Sequence, residues 1–352
     1  MQPESFPTRC WHTVNDTRGN TRVQCDVCPR ACTLKDGQRG LCFVRMNRGN
    51  AIVLTTYGRS SGFAVDPVEK KPLNHFLPGT PILSFGTAGC NLTCKFCQNW
   101  HMSKARRMDR LMAQASPGEV LALAEQHGCK SVAYTYNDPV IFMEYALDIA
   151  KVCRERGILS VAVTAGYIHG TARAAFFAGI DAANVDLKGF TEGFYKRLCS
   201  GRLQPVLDTL GYLKHETQVW FELTTLLIPG LNDSAAEIDA MTRWVVENLG
   251  PDVPMHFTAF HPDYRMREIP PTPLETLRRA REIALGNGVR YAYTGNAYDP
   301  EGQSTYCHRC GSRLIGRDRY SLTAWNLTGE GDCAQCGTRC GGVFRGSRVM
   351  ER

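Results

Sequence analysis

No stretch of 18 consecutive apolar residues occurs in the 352-residue chain, so a membrane-spanning helix is not expected. The first residues lack an apolar run behind positive charges, which argues against a secretory signal peptide. The sequence also lacks a basic stripe interleaved with aromatic residues, and its net charge of +7 is scattered apart from short patches at 103–110 and 278–282. We therefore expect a cytoplasmic protein with a solvated positive face, and we do not expect a membrane or nucleic acid as a partner.

Cysteine, in contrast, is abundant. The hydrophobic share of 43% and the charged share of 21% are ordinary for a globular protein with one large core. Sixteen cysteines in the cytosol would be reduced, so clustered ones are better explained as metal ligands than as disulfides. Three groups stand out: Cys25, Cys28, Cys32 and Cys42; Cys90, Cys94 and Cys97; and Cys307, Cys310, Cys333 and Cys336.

Short apolar runs alternate with helix-patterned segments between about residues 80 and 295. The candidate strands are 81–86, 130–136, 159–164, 181–187, 219–228, 254–260 and 289–294. In one intervening segment, Ser116 can cap a helix, Pro117 suits its first turn and Gly128 can end it. Repeated strand–helix units with continuous apolar strands predict an α/β fold with a parallel sheet, either an open or complete barrel or a flat doubly wound sheet.

Polar side chains follow most of these predicted strands. They are Asn137, Asp138, Thr164, Asp186, Lys188, Asn232, Asp233 and His261. Each alone is compatible with an ordinary cap or turn residue. Because the chemistry of a parallel barrel gathers at the carboxyl ends of its strands, their recurrence predicts a shared ligand site.

The central cysteine group forms a C-x3-C-x2-C array directly after the first predicted strand, with Phe96 before the last cysteine. A structural zinc site normally has four protein ligands, whereas a [4Fe-4S] cluster on three cysteines leaves one iron open. We therefore predict a [4Fe-4S] cluster on Cys90, Cys94 and Cys97 whose fourth ligand is a substrate or cofactor. The alternative is a zinc site completed by a distant cysteine or by a histidine such as His101.

The two flanking cysteine groups predict further metal sites. In the C-terminal group, two C-x2-C knuckles lie 22 residues apart, which is typical of a zinc ribbon, with a second iron–sulfur cluster as the competing interpretation. A tail of about 50 residues needs the folding energy that a metal supplies. The N-terminal C-x2-C-x3-C-x9-C group suits either an auxiliary [4Fe-4S] cluster or zinc, and its spacing does not decide between them.

Two side chains are candidates for contact with a substrate. Cys199 lies at the end of a predicted helix, although a solitary buried thiol is usually a small hydrophobic residue. His256 and His261 flank the sixth predicted strand, and the position of His261 at the strand end makes it the better ligand candidate. We therefore assign Cys199 and His261 as candidate catalytic residues.

The segment GTAGCNLTCKFCQNW (86–100) resembles the radical S-adenosylmethionine (radical SAM) superfamily, whose hallmark is C-x3-C-x2-C with an aromatic residue before the last cysteine. The segment AYTYNDP (133–139) resembles the second-strand motif that binds the methionine amino group, with Asp138 in place of the usual glutamate. The segment VTAGY (163–167), which contains Thr164, resembles a Thr-Asn-Gly-Tyr motif with alanine replacing asparagine.

The resemblance extends along the later strands. NVDLKGF (184–190) is similar to the Asp-Leu-Lys segment of pyruvate formate-lyase activating enzymes and implies Asp186 and Lys188 near the ribose and carboxylate of S-adenosylmethionine. LLIPGLND (226–233), which contains Asn232, resembles the fifth-strand segment that supports adenine and ribose. FHPDY (260–264) resembles the histidine segment after the sixth strand. The cofactor-binding residues implied are Phe96, Asn137, Asp138, Thr164, Asp186, Lys188 and Asn232.

A narrower resemblance covers nearly the whole chain. The segments at 25–45, 66–80, 90–100 and 198–210 together resemble the radical enzyme of the AmmeMemoRadiSam system, which has a pyruvate formate-lyase activating enzyme-like core. The resemblance implies Memo-like and AMMECR-type proteins as partners, a one-electron donor such as a flavodoxin or ferredoxin, and a substrate that the family leaves undefined.

The resemblance implies a partial (β/α)6 TIM-like barrel at 80–298, an N-terminal Cys-rich metal-binding segment at 1–79 and a zinc-ribbon-like domain at 299–352. It also implies reductive cleavage of S-adenosylmethionine to a 5'-deoxyadenosyl radical that abstracts hydrogen from a substrate. One alternative is an activase that generates a glycyl radical on a partner enzyme. Another is a non-catalytic, metal-stabilised binding module.

Overall fold

The N-terminal region folds into short antiparallel sheets. The computed structural model describes residues 5–15, 17, 19–106 and 113–344, so part of the basic patch at 103–110 and the ends of the predicted flanking domains lie outside the described residues. The first strands are β1 (Phe6–Pro7), β2 (Trp11–Asn15), β3 (Thr21–Cys25), β4 (Thr33–Leu34), β5 (Arg45–Arg48), β6 (Ala51–Leu54), β7 (Arg59–Ser60) and β8 (Phe63–Pro67). Strands β2, β3 and β4 form one small sheet, and β1, β6 and β5 form another.

The central region alternates strands with helices. Its first half contains β9 (Pro81–Phe85), α1 (Trp100–Ser103), β10 (Ala113–Gln114), α2 (Pro117–Gln126), β11 (Ser131–Tyr134), α3 (Met143–Arg154), β12 (Leu159–Thr164), α4 (Gly170–Phe177) and β13 (Ala182–Asp186). Its second half contains α5 (Glu192–Phe194), α6 (Gln204–Glu216), β14 (Trp220–Leu227), α7 (Ala235–Leu249), β15 (Met255–Ala259), α8 (Leu274–Gly286) and β16 (Ala292–Gly295). Single helical turns occur at Val68–Lys70, Pro139–Phe142 and Tyr195–Cys199.

The main sheet has eight strands in the order β8-β9-β11-β12-β13-β14-β15-β16. The seven strands from β9 to β16 are parallel, whereas β8 runs antiparallel to β9. The sheet ends at β8 and β16, which do not pair with each other in the described chain, so the barrel is open. The predicted α/β class is confirmed, and six strand–helix units lead to a seventh parallel strand.

Local sequence signals account for the helix boundaries. At the start of α2, Ser116 and Glu119 form a reciprocal capping box, and Pro117 occupies the first turn. The helix ends at Gln126, and Gly128 follows with a φ of +63°, a left-handed conformation that glycine adopts without steric cost. The helix start and stop predicted from this segment are therefore confirmed.

The two faces of the main sheet pack against different parts of the chain, because successive side chains of a strand point in opposite directions. One face contributes Leu83, Val132 and Ala162 to the large core that it shares with the helices. The other face, here called the interior face, contributes Ile82, Ala133, Val161 and Ala182 to a separate cluster that contains Leu73 and Phe76. The segment 68–80, here called the interior segment, therefore fills the inside of the open barrel.

The tail, residues 299–344, closes on the barrel and the interior segment. It contains α9 (Pro300–Gln303) and the antiparallel strands β17 (Thr305–Tyr306), β18 (Arg313–Asp318) and β19 (Ser321–Trp325). Leu314 and Ile315 pack against Tyr291 and Tyr293 of the barrel. Nδ1 of His75 lies 2.6 Å from the carbonyl oxygen of Gly341. None of the helices in the described part of the chain combines the length and apolar character needed to cross a bilayer.

Candidate active site and metal centres

The loop after β9 presents Cys90, Cys94 and Cys97 to one cavity of about 400 Å³, here called the first cavity. The side chain of Asn137, just after β11, holds this loop in place. Its Oδ1 accepts the backbone N–H of Thr87 at 3.0 Å, and its Nδ2 donates to the carbonyl of Gly89 at 2.8 Å. One amide therefore ties the cysteine loop to the neighbouring strand.

The polar surroundings of the three thiols differ. A hydrogen bond from Cys199, together with the ammonium groups of Lys188 and Lys104, lowers the pKa of the Cys94 thiol despite its burial. Burial raises the pKa of Cys90 to about 12 and also raises that of Cys97, although Cys97 lies 3.0 Å from the hydroxyl of Ser103. Three thiols on one cavity, with cations nearby, fit a metal cluster that needs thiolate ligands.

The strand ends supply the rest of the wall of the first cavity. The lining side chains on the interior face are Thr135, Val163, Asp186, Thr224 and Thr258. Among the predicted cofactor residues, Phe96, Asn137, Asp138, Asp186 and Lys188 line this cavity. The cavity thus joins the cysteine loop to five successive parallel strands at their carboxyl ends.

The carboxylate of Asp138 already accepts three hydrogen bonds. Oδ1 accepts the hydroxyl of Thr164 at 2.8 Å and the backbone N–H of Val140 at 3.3 Å, and Oδ2 accepts the N–H of Ala165 at 3.2 Å. Burial raises the pKa of Asp138 to about 6 in spite of these donors. A carboxylate offers about four lone-pair sites, so one is left for a ligand in the cavity.

Asp186 and Lys188, at the end of β13, form an ion pair in the same cavity, with 2.6 Å between Oδ2 and Nζ. Burial disfavours the ammonium, but the neighbouring Asp186 carboxylate and the Cys94 and Cys199 thiols hold the pKa of Lys188 well above its usual value. Lys188 therefore presents a persistent positive charge to the cavity.

Two of the predicted cofactor residues lie behind the wall. The Thr164 hydroxyl is directed at Asp138, and the amide of Asn232 bonds the backbone of Ile228, Leu226 and Lys188. Neither is among the described residues that line the first cavity. Their contacts indicate that they position Asp138 and Lys188.

Comparison with known proteins identifies the family. Residues 85–242, which carry the cysteine loop and the strands through β14, match the sequence profile of the Radical SAM superfamily. An uncharacterized protein of Methanocaldococcus jannaschii is 38% identical over 91% of this chain and 95% of its own length. This chain belongs to the radical SAM superfamily. Membership implies a [4Fe-4S] cluster and S-adenosylmethionine as cofactors, and the superfamily is generally catalytic.

More distant similarities lie within radical SAM proteins. The pyruvate formate-lyase-activating enzyme of Clostridium pasteurianum is 23% identical over 51% of this chain and 80% of its own length. A radical SAM methyltransferase from Sphaerobacter thermophilus aligns with a TM-score of 0.49 at 14% identity, over 83% of this chain and 76% of that chain. The activating-enzyme similarity implies a reductant and a substrate partner for this radical SAM protein.

Neither of the two candidate catalytic residues lines the first cavity. Cys199 is fully buried and hydrogen-bonds Cys94, which does line it. His261 is exposed and is not among the described residues that line either large cavity. Their assignment as catalytic residues stays a prediction, and these positions give neither side chain a direct route to a ligand in the cavity.

A second cavity of about 360 Å³ adjoins the first and is lined by His256, which the sequence analysis ranked below His261; the partner of His256, Glu222, was missed. Nε2 of His256 lies 2.7 Å from Oε2 of the fully buried Glu222. Glu222 and His256 are the ionisable residues in strands that otherwise contain only apolar residues and threonine, which was the available signal. A charged or polar side chain on the interior face of a buried strand needs a buried partner or a ligand.

Tyr136 marks strain beside the first cavity. Its φ is +68°, an uncommon conformation for a bulky residue, and such strain clusters at functional sites. Its hydroxyl donates to Asp66 at 3.4 Å, and Nζ of Lys71 lies 5.1 Å from its ring centroid. The interior segment therefore helps to hold Tyr136 in this conformation.

The N-terminal cysteines surround a small closed cavity of about 20 Å³. Cys25, Cys28, Cys32 and Cys42 all line it, together with the guanidinium groups of Arg30 and Arg45. Nε of Arg30 donates to the carbonyl of Asn91 at 2.8 Å, next to the radical SAM cysteine Cys90. Burial raises the pKa of Cys28 and Cys42, so a bound metal is needed to stabilise their thiolates.

The C-terminal cysteines are arranged around a single point. Their four sulfur atoms all lie within 4.8 Å of one another, with 3.6 Å between Cys307 and Cys336 and 3.7 Å between Cys310 and Cys333. Elsewhere in the described chain, no other cysteine group is gathered this tightly. The cluster is consistent with a zinc-ribbon-like tail that binds one metal ion.

Gly89 is a contact point between the radical SAM loop and the N-terminal cysteine group. A Cβ atom there would lie 1.9 Å from the carbonyl oxygen of Cys42, and its φ is +79°. We expect Gly89→Ala to lower the free energy of unfolding by about 2 to 5 kcal/mol, from left-handed strain plus the steric overlap. Iron incorporation at the radical SAM cysteines should fall as well, because the loop must shift.

Gly37→Ala is the matched control, since Gly37 has a φ of +75° but a Cβ atom there would meet no other side chain or backbone within 4 Å. Gly37→Ala should lower the free energy of unfolding by about 1 to 2 kcal/mol and leave the iron content unchanged. Chemical denaturation and iron analysis measure both effects. Equal losses in the two variants would show that the contact with Cys42 is unimportant.

Proposed function

We propose that this protein is a radical SAM enzyme in which Cys90, Cys94 and Cys97 hold the [4Fe-4S] cluster and the first cavity binds S-adenosylmethionine. When bound, the cluster and S-adenosylmethionine would supply a 5'-deoxyadenosyl radical through one-electron reductive cleavage of S-adenosylmethionine. This radical would abstract hydrogen from a substrate. The observation that carries the proposal is a single cavity of about 400 Å³ lined by all three thiols and by the polar ends of successive parallel strands.

The side chains of the wall suit the charges of S-adenosylmethionine. The remaining lone pair of Asp138 would accept a hydrogen bond from the methionine ammonium, and Lys188 would attract the carboxylate. Phe96, which is 4% exposed, covers the cysteine loop with an apolar ring. Asn137, Thr164 and Asn232 would act as positioning residues through the contacts described above.

The flanking metal groups would serve different purposes. We assign zinc to Cys307, Cys310, Cys333 and Cys336, because four thiolates around one point suit a closed tetrahedral site. The N-terminal group would hold an auxiliary [4Fe-4S] cluster or zinc, with Arg30 and Arg45 offsetting thiolate charge. The chain would thus comprise a Cys-rich segment at 1–79, the radical SAM barrel at 80–298 and the ribbon at 299–352.

Within the superfamily, we place the protein with the radical enzymes of the AmmeMemoRadiSam system. A flavodoxin or ferredoxin would donate the electron, and Memo-like and AMMECR-type proteins would be partners. The similarity to the Clostridium pasteurianum activating enzyme and to a putative glycyl-radical enzyme activating enzyme of Methanocaldococcus jannaschii favours a second candidate function. In that case the substrate is a glycine residue of a partner enzyme.

The test is anaerobic turnover of the reconstituted, reduced full chain with S-adenosylmethionine. We expect 5'-deoxyadenosine and methionine in equal amounts, with more product when the substrate or partner protein is added. Deuterium carried from a labelled substrate into 5'-deoxyadenosine would identify the hydrogen donor. A fully cluster-loaded and reduced sample that forms no 5'-deoxyadenosine would refute the proposed function.

The affinity for S-adenosylmethionine should depend on the protonation of Asp138. Since burial raises the pKa of this carboxyl to about 6, it loses its negative charge as the pH falls below that value. Binding that requires the carboxylate should then be roughly fourfold weaker at pH 5.5 than at pH 7.5. Equilibrium titration of the cluster-loaded protein with S-adenosylmethionine at the two pH values measures this ratio.

Asp138→Asn is the control for this dependence, because it retains an oxygen for Thr164 but has no titratable charge. Its affinity should be about tenfold to a hundredfold lower than that of the wild type at pH 7.5, and it should change little between pH 7.5 and pH 5.5. A fourfold pH effect that persists in the asparagine variant would assign the titration to another group.

A further inference from the structure

The second cavity borders the first. Five residues line both cavities: Lys70, Pro72, Thr258, Asn296 and Tyr320. A molecule in the second cavity would therefore lie close to whatever occupies the first. At about 360 Å³, the second cavity has the size of a small-molecule site.

Three distant parts of the chain build this second cavity. The interior segment contributes Glu69 and Lys70, strands β15 and β16 contribute His256 and Thr294, and the tail contributes Arg317 and Arg319. The tail residues lie at the end of β18 and in the turn before β19. The tail therefore does more than bind a metal, since it completes a chamber next to the radical SAM cavity.

The rim of the second cavity carries surplus positive charge. Asp66 is shared by two ammonium groups, at 2.7 Å from Nζ of Lys70 and 2.7 Å from Nζ of Lys71. One carboxylate thus faces two cations. Arg319 is exposed, and across the residues that the structure describes no carboxylate lies within 4.0 Å of its guanidinium. Counted together, the three cations Lys70, Lys71 and Arg319 face the single carboxylate of Asp66, which leaves about two positive charges unmatched.

The wall also contains buried polar atoms without partners. Glu69 is 5% exposed and Arg317 is 2% exposed, yet Oε2 of Glu69 and Nε of Arg317 have no hydrogen-bond partner among the described residues. The nearest approach between the two side chains is 4.0 Å, from Nε to Oε1. Buried polar atoms are normally satisfied, so these two point to a ligand that supplies one donor and one acceptor.

Aromatic surface at the same opening suits an organic molecule. Tyr298 and Tyr320 are 60% and 44% exposed, which is unusual for large side chains, and both line the second cavity. The guanidinium of Arg319 lies 5.8 Å from the ring centroid of Tyr298. The ring is therefore held next to the charge that would receive an anionic group.

We propose that the second cavity is the substrate chamber and that it takes a small organic anion, whose phosphate or carboxylate is held by Lys70 and Arg319. The polar end of the substrate would meet Glu69, Arg317 and the Nδ1 atom of His256. The C–H bond to be broken would face the first cavity past Pro72 and Thr258. The inference that the bound anion is the substrate rests on the proposed radical SAM function. Binding of the anion itself needs no cofactor.

The test uses the zinc-replete full chain without S-adenosylmethionine, titrated calorimetrically with pyrophosphate and, separately, with succinate at constant ionic strength. We expect at least one of the two anions to bind at a single site. Tighter binding of pyrophosphate would identify a phosphate as the recognised group, and tighter binding of succinate would identify a carboxylate. Arg319→Ala and Lys70→Ala should each weaken that binding about tenfold or more, through loss of a charge-assisted contact.

Arg313→Ala is the matched control, because Arg313 is exposed on the same strand β18 but does not line the cavity. Its affinity for the anion should equal that of the wild type. The proposal fails if neither anion binds saturably, if the Arg319 and Lys70 variants bind normally, or if Arg313→Ala weakens binding equally. Formation of 5'-deoxyadenosine is measured separately, so a failure of the radical SAM function is recognised independently of this result.

Discussion

Replacing Cys90, Cys94 and Cys97 together by alanine is expected to remove about four iron atoms per chain and to abolish formation of 5'-deoxyadenosine, because a cubane cluster loses all of its protein ligands. The zinc proposed for the tail should remain, since the four thiols of the tail lie in a separate part of the fold. Metal analysis after anaerobic reconstitution measures both changes in one sample.

A second triple variant, Cys10, Cys129 and Cys153 to alanine, is the matched control, because it removes the same number of thiols outside the three groups. Its iron content should equal that of the wild type. The iron that remains in the first variant also reports on the N-terminal group: about four atoms indicate an auxiliary cluster, and almost none indicates zinc. Unchanged iron after the loss of Cys90, Cys94 and Cys97 would contradict the assignment of the cluster.

Glu222→Ala should produce the largest loss of stability among single substitutions on the interior face. The fully buried carboxylate accepts the backbone N–H groups of Asn74 at 2.9 Å and His75 at 2.7 Å, the indole of Trp220 at 3.1 Å and the ring of His256 at 2.7 Å. Removing it leaves four donors without this acceptor, and three of them, on Asn74, His75 and His256, belong to buried residues. We expect the free energy of unfolding to fall by about 3 to 5 kcal/mol.

Glu237→Ala is the comparison, because Glu237 is only partly buried and accepts one backbone N–H, from Phe190 at 2.7 Å. We expect Glu237→Ala to lower the free energy of unfolding by about 1 kcal/mol. Urea denaturation of the zinc-replete protein measures both variants and needs no iron–sulfur cluster. Similar costs for the two substitutions would mean that the interior segment is not held by Glu222.

The sequence predicted the parallel strands and the cysteine groups because both are local patterns. Apolar runs mark the parallel strands of the main sheet from β9 to β15. The cysteine spacing marks each of the three cysteine groups without knowledge of the fold. The seventh strand was less well defined, since the predicted run at 289–294 begins before the observed start at Ala292. Tyr291, which precedes the observed strand, and Tyr293 within it both contact the tail.

The interior of the barrel was not predictable in the same way. Glu222 bonds Asn74 across a sequence separation of 148 residues, and no local pattern reports such a contact. Strand-end position also does not determine where a side chain points, which is why Thr164 and Asn232 lie behind the wall that they were expected to form. Strand-end position also favoured His261 over His256 in the sequence analysis. His256 lies within β15, and the sequence alone does not show that its side chain lines a cavity on the interior face.

The contact between the interior segment and the tail has a consequence for biosynthesis. His75 meets Gly341 across a sequence separation of 266 residues, and Leu77 donates its N–H to Val343 at 2.7 Å. At a translation rate of about 5 to 20 residues per second, the segment waits roughly 13 to 50 s on the ribosome for these partners. The last barrel strand, β16, ends at Gly295, so all barrel strands are synthesised before the part of the tail that contacts the interior segment, and a nascent chain that stops before residue 341 lacks this contact.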